Sequence, residues 1–179
     1  MTGTAAQALN HVELVYRPGE RDLARRVFDV LGFRPVDRGG TWFTSFIATD
    51  GADWSNNVLY ASEVTPEQWA FEQAFPASTT DAPELAAYLD RLRREPQRSF
   101  HFGIRLADEA ALDASCERVR RAGAEGGELA GRIRLAGLFR PGDPGAVADT
   151  MVQAFVWTDV VASGLLTIGQ HIELQLQLA

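Results

Sequence analysis

The strongest constraint in this chain is an internal repeat. Leu9-Asn10-His11-Val12-Glu13-Leu14-Val15-Tyr16 opens one copy, and Ser99-Phe100-His101-Phe102-Gly103-Ile104-Arg105-Leu106 opens the other. Each block alternates like a strand and carries a histidine at its third position. A helical stretch follows in both, Arg21 to Leu31 closed by Gly32 and Glu109 to Ala122 closed by Gly123. Gly32 lies 21 residues after His11, and Gly123 lies 22 after His101. One supersecondary unit has been used twice, and neither copy is large enough to bury its apolar face alone.

The helical assignments rest on period. Leu23, Val27, Phe28 and Leu31 form one apolar stripe, and Ala111, Leu112, Cys116 and Val119 form another. Gly32 and Gly123 both suit a left-handed residue just past a helix end. Three strand-like blocks follow each helix. In the first copy they are Phe33 to Asp37, Thr41 to Ala48 and Asn57 to Ala61, punctuated by Gly39-Gly40 and Asp50-Gly51-Ala52-Asp53. In the second they are Arg132 to Phe139, Val152 to Ala162 and Gln170 to Leu178. Between the copies, Thr65-Pro66-Glu67 and Asp81-Ala82-Pro83-Glu84 read as helix starts, so this segment is expected to be a two-helix connector packed on the outside. The expected architecture is α+β, with β-α-β-β-β modules over 1–62 and 98–179 and a helical connector over 63–97.

Composition narrows the function classes. The chain has 179 residues, a formal charge of −7 and a single cysteine, Cys116. The negative balance argues against a nucleic-acid partner, and one cysteine excludes an intrachain disulfide and a multi-cysteine zinc site. All 17 basic residues are arginines, which removes Schiff-base chemistry and points to a GC-rich bacterial coding sequence. The first residues lack the charged and apolar regions of a signal peptide, and no apolar run is long enough to span a bilayer. The expectation is a cytoplasmic protein with a small-molecule substrate and no membrane partner.

Three histidines exist: His11, His101 and His171. On a strand, alternate residues share a face. His171, Glu173 and Gln175 therefore point away from the apolar set Ile172, Leu174 and Leu176. By the same alternation His11 shares a face with Glu13 and Val15, and His101 with Gly103 and Arg105. If the two modules pair about a pseudo-twofold axis, His11 and His101 approach each other and Glu173 completes a site. Two imidazoles and one carboxylate form the ligand set of a mononuclear iron(II) centre, which manganese, nickel, zinc or cobalt also tolerates. His171 is a candidate acid/base, being the side chain that titrates nearest neutrality. Arg105, and less directly Arg134, are candidates to hold an anionic group. Trp42, Phe43, Phe46, Trp54, Tyr60, Phe139, Phe155 and Trp157 sit on or beside the strand blocks, and some of them must line the open face. Cys116 belongs to a helical core stripe.

Asn10-His11-Val12-Glu13-Leu14, Val30-Leu31-Gly32-Phe33, His101-Phe102-Gly103-Ile104 and Gly169-Gln170-His171-Ile172-Glu173-Leu174, in that order, resemble the vicinal oxygen chelate superfamily. That superfamily includes glyoxalase I, extradiol dioxygenases, fosfomycin-resistance and bleomycin-resistance proteins. The resemblance implies a curved-sheet cup around a divalent metal held by His11, His101 and Glu173, and a homodimer. Aligning Asn57-Val58-Leu59-Tyr60 with His171-Ile172-Glu173-Leu174 sets Leu59 opposite Glu173. That removes the fourth ligand of glyoxalases and leaves the three-ligand arrangement of dioxygenases. The lack of lysine disfavours a fosfomycin enzyme. The expected activity is an iron(II) dioxygenase-like oxidoreductase acting on a small aromatic or enolic compound, with His171 and Arg105 as catalytic residues. A glyoxalase-type lyase or isomerase using nickel, zinc or cobalt is the alternative, with Asn57 or Tyr60 as fourth ligand. A metal-free antibiotic-binding protein is the third reading.

Overall fold

The computed structural model describes residues 9–48, 57–79 and 82–178, with side chains left undescribed at 76–79. The expected turn at Asp50 to Asp53, the aromatic Trp54, the helix-start residue Asp81 and the first eight residues lie outside them.

The first module runs β1 (His11–Tyr16), α1 (Arg21–Leu31), β2 (Arg34–Asp37), β3 (Trp42–Phe46) and β4 (Val58–Glu63). The connector holds α2 (Pro66–Thr79) and α3 (Pro83–Arg94), then a single 3-10 turn at Pro96–Arg98. The second module runs β5 (His101–Arg105), α4 (Glu109–Gly123), β6 (Ile133–Phe139), β7 (Met151–Thr158), the short β8 (Val161–Ala162) and β9 (Gln170–Gln177). One sheet has the order β2-β3-β4-β1-β8 and the other β5-β9-β7-β6. In each, the first strand of the module pairs parallel with the last, β1 with β4 and β5 with β9. The repeat is therefore real in topology as well as in spacing.

Both modules share one core. Leu14, Tyr16, Val27, Phe28 and Leu59 from the first join Ile104, Leu112, Cys116, Ile172 and Leu174 from the second. Helices α1 and α4 pack together there, with the Arg118 guanidinium donating to the Val30 carbonyl. Strand alternation then fixes the opposite faces of both sheets as the open ones.

Three details depart from the expectations. The predicted Val152–Ala162 strand breaks after Thr158, and Val161–Ala162 crosses to the first sheet to pair with Val15 and Tyr16. At the break, Asp159 binds both Arg17 and Arg132, and Arg132 also binds Glu20. This half-buried ion cluster ties the modules together, which a continuous strand could not do. Gly123 is not a left-handed cap either: it ends α4 in helical geometry, and a Cβ there would sit 2.1 Å from the Ile133 carbonyl oxygen. It is glycine because a strand passes too close. Gly32 does adopt the left-handed conformation, at φ 88°. Finally, the connector is not a mere outer layer. Trp69 of α2 and Val15 of β1 both pack against the cluster of Val64, Ala162 and Leu166, and Leu92 of α3 lines a cavity with Trp157 and His171. Both helices cover parts of the open faces.

A histidine-carboxylate pair on the open face of the second sheet

Register across the second sheet places the candidate residues in rows. His101 pairs with His171, His171 with Trp157, and Trp157 with Arg134. These four residues form one transverse row on the open face. The next row is Gly103, Glu173 and Phe155, and the one after is Arg105, Gln175 and Gln153.

The reactive feature joins the first two rows. His101 Nε2 lies 3.2 Å from Glu173 Oε2. His101 Nδ1 is 2.9 Å from the Ser99 carbonyl oxygen. A carbonyl only accepts, so Nδ1 carries a proton and Nε2 is the atom left for other chemistry. In the neutral ring, Nε2 would turn a lone pair toward a carboxylate. That contact is favourable only with a proton or a cation between the two atoms. The hydrogen bond that His101 donates to Glu173 accordingly raises the His101 pKa, against the opposing effect of burial. The same bond holds Glu173 below its usual range despite burial. Glu173 is 7% exposed, and its second oxygen accepts from Gln153 Nε2 at 2.7 Å. The Phe155 ring meets His101 edge-on at 5.2 Å and fixes its plane. Gly103 has no side chain to spare: a Cβ there would stand 3.2 Å from Glu173 Oε2.

His171 is held by different groups. Its Nδ1 is 2.9 Å from Ser99 Oγ, whose own proton goes to the Pro96 carbonyl at 2.7 Å. The hydroxyl must then accept from His171, leaving Nε2 as a bare acceptor, and Nε2 is buried without a partner. Burial first, then Arg134 and His101, push the His171 pKa down to about 4. The ring is neutral near pH 7, so it suits the role of proton acceptor rather than donor.

The first module contributes His11 from a distance. Its ring stacks edge-on against Tyr60 at 5.2 Å, and its Nδ1 meets Asn10 Oδ1 at 2.8 Å. His11 borders a cavity of about 310 Å³ whose other wall includes Gly103 and Arg105. It therefore faces β5 across open space instead of touching Glu173. Among the described residues, no three His, Cys, Asp or Glu side chains are grouped to hold a metal ion. Of the expected set, His101 and Glu173 are in contact, while His11 borders the cavity that Gly103 and Arg105 line. The reason is topological: β1 and β5 belong to different sheets, and no strand ladder fixes the distance between them.

The expected alignment of the two last strands is also off by one. Glu13 pairs with Tyr60, as Gly103 pairs with Glu173. Tyr60, not Leu59, occupies the place equivalent to Glu173, and Leu59 is a core residue. Asn57 lies before β4, at a positive φ of 57°. Arg105 stands on the open face two rows from His101, beside the His11 cavity. Sequence reading missed Ser99 and Gln153. Ser99 had a visible signal, two residues before a candidate ligand at a strand start. Gln153 shares the face of Phe155 by alternation but looks like any polar strand residue.

The topology decides the fold class: two β-α-β-β-β units, each closed by a parallel pair of its first and last strands. The fold is therefore α+β, with the paired modules that the sequence repeat predicts. No family model and no curated protein matches the sequence. Among solved structures, the chain is similar to a protein from Bacillus anthracis assigned to the glyoxalase family (12% identity, 97% of this chain and 98% of that one, TM-score 0.49). It is also similar to the oxidase ChaP-H2 (14%, 97% and 95%, 0.46). A third is a glyoxalase/bleomycin resistance protein/dioxygenase from Alicyclobacillus acidocaldarius (11%, 97% and 93%, 0.45).

Proposed function

We propose that the chain is a metal-dependent enzyme whose chemistry is centred on His101 and Glu173, acting on a small aromatic or enolic compound as an iron(II) dioxygenase-like oxidoreductase. The observation that supports it is the 3.2 Å approach of a single-tautomer imidazole nitrogen to a carboxylate oxygen. Two hard-to-borderline donors 3.2 Å apart suit a divalent cation. His101 and Glu173 would hold it, and His11, across the cavity, is the residue to supply a third ligand. The bound cation would act as Lewis acid and oxygen-activating centre.

The chain's own residues supply the rest. Ser99 and Phe155 orient His101, and Gln153 orients Glu173, as partners of metal ligands commonly do. His171, neutral and one strand over, is placed to take a proton from a substrate hydroxyl. Arg105 offers a cation to a carboxylate or phenolate at the His11 cavity. The test is oxygen uptake by iron-loaded protein with a panel of catechols and enols. Uptake that disappears in Glu173→Gln supports the reading. Turnover of a hemithioacetal with nickel, and no oxygen uptake with iron, would replace it by the lyase or isomerase alternative.

One observation favours a metal-free reading: among the described residues, no third His, Cys, Asp or Glu is grouped with the pair to hold a metal ion. In that case His101 and Glu173 form an imidazolium-carboxylate pair at the floor of a binding cup.

A further inference from the structure

We infer that the cavity between α3 and the second sheet is a binding site for a small organic acid that also carries a hydroxyl or N–H donor. This deepens the reading above, because the hydroxyl that His171 accepts is the substrate hydroxyl assigned to it there, but the recognition it describes works with or without a cation at His101.

The cavity is about 290 Å³ and lies at the Arg134 end of the transverse row. That is near the lower limit for ligand pockets, roughly 300 Å³, so its occupant is small. The floor is His171, Trp157 and Arg134, and α3 supplies Leu92 and Arg93 as the roof. Two features of the lining ask for a ligand. First, two guanidinium groups share the cavity. Arg93, its side chain 60% exposed, pairs among the described residues with Asp90 of its own helix, at 3.7 Å. Arg134 lies 3.9 Å over the Trp157 ring and makes no ion pair among the described residues. Like charges facing one apolar-walled space are relieved by an anion between them, and guanidinium groups bind carboxylates through paired hydrogen bonds. Second, His171 is 2% exposed, with its Nε2 lacking any partner. A buried acceptor without a donor is costly, and Ser99 fixes the ring so that Nε2 cannot be the atom that donates. A ligand hydroxyl or N–H satisfies it. A carboxylate at the arginines and a donor at His171 define a hydroxy or amino acid with a flat, apolar body.

The test is calorimetric titration of the protein as purified with meta- and para-hydroxybenzoate, whose oxygens are not adjacent and so do not chelate. Benzoate, phenol and benzylamine are the comparisons. One of the two hydroxybenzoates is expected to bind about tenfold or more tightly than benzoate and than phenol, as one buried hydrogen bond or charge contact implies. Arg134→Ala, at an exposed position, is expected to lose that advantage over phenol while its circular dichroism stays that of the parent. Ring nitrogen shifts of labelled histidine report the second contact: the His171 Nε2 signal moves with hydroxybenzoate and not with benzoate. Equal binding of benzylamine and hydroxybenzoate, no saturable binding of any acid, or unchanged acid affinity in Arg134→Ala would overturn the proposal. Because the probes do not chelate, a protein that proves to bind no metal leaves this result intact, and a failed titration leaves the metal reading standing.

Discussion

Ser99 holds two histidines with two different atoms: its carbonyl takes His101 Nδ1 and its hydroxyl takes His171 Nδ1. Removing only the hydroxyl separates the two functions. Ser99→Ala leaves a buried His171 N–H without an acceptor, and is expected to cost about 1–3 kcal/mol in urea unfolding. The His101 anchor, being backbone, survives, so metal content should stay at the parent level. A metal content that falls with Ser99→Ala would show that His171 position matters to the cation. At the surface, the Arg21 guanidinium beside Asp37 holds its carboxyl well below the usual range, helped by the Gly39 N–H. A depressed folded pKa gives stability that is present above the unfolded value and lost as pH falls. The advantage of the parent over Asp37→Asn should therefore shrink below about pH 4, read as urea midpoints at neutral and acid pH.

Elements were the most legible scale. Helix α1 was read at its observed bounds, because an apolar stripe and a closing glycine are local signals. Every strand block but the separate β8 was found, since alternation survives wherever one face is buried. The errors arose where distant chain segments decide. Gly123 looked like Gly32, but the close pass of Ile133 gives it a different task. The Leu59–Tyr60 misalignment arose because a one-residue register shift is invisible until two strands are paired. The break at Asp159 depends on Arg17 and Arg132, which are far away in sequence. The faces of His101 and Glu173 were readable from strand alternation, while the placement of His11 relative to them was not, because β1 and β5 lie in different sheets. The two glycines can be told apart by measurement. Gly123→Ala forces a methyl into a carbonyl oxygen and should cost about 3 kcal/mol or more, the upper end of overpacking, and more than Gly126→Ala. Gly126→Ala has open space at φ 78° and should cost about 1–2 kcal/mol from conformation alone. Equal losses in both would remove the close-approach explanation.

At the scale of the molecule, two modules that share one core must unfold together. The cluster of Arg17, Glu20, Arg132 and Asp159 sits on their seam, with side chains about one-fifth to one-quarter exposed. Asp159→Asn leaves two arginines short of their partner. It is expected to lower stability by about 1–3 kcal/mol while the transition stays single and its denaturant dependence unchanged. Two separate transitions would mean that the repeat units are independent domains. The same arrangement frames the functional question, because the open faces of both sheets carry polar candidates and only the core faces are tied together. The direct test is metal analysis of protein purified without oxygen and loaded in turn with iron, manganese, nickel, zinc and cobalt. The account predicts one equivalent of iron per chain, lost in His101→Ala and in Glu173→Gln and weakened in His11→Ala. No stoichiometric metal under any of these loadings would contradict it.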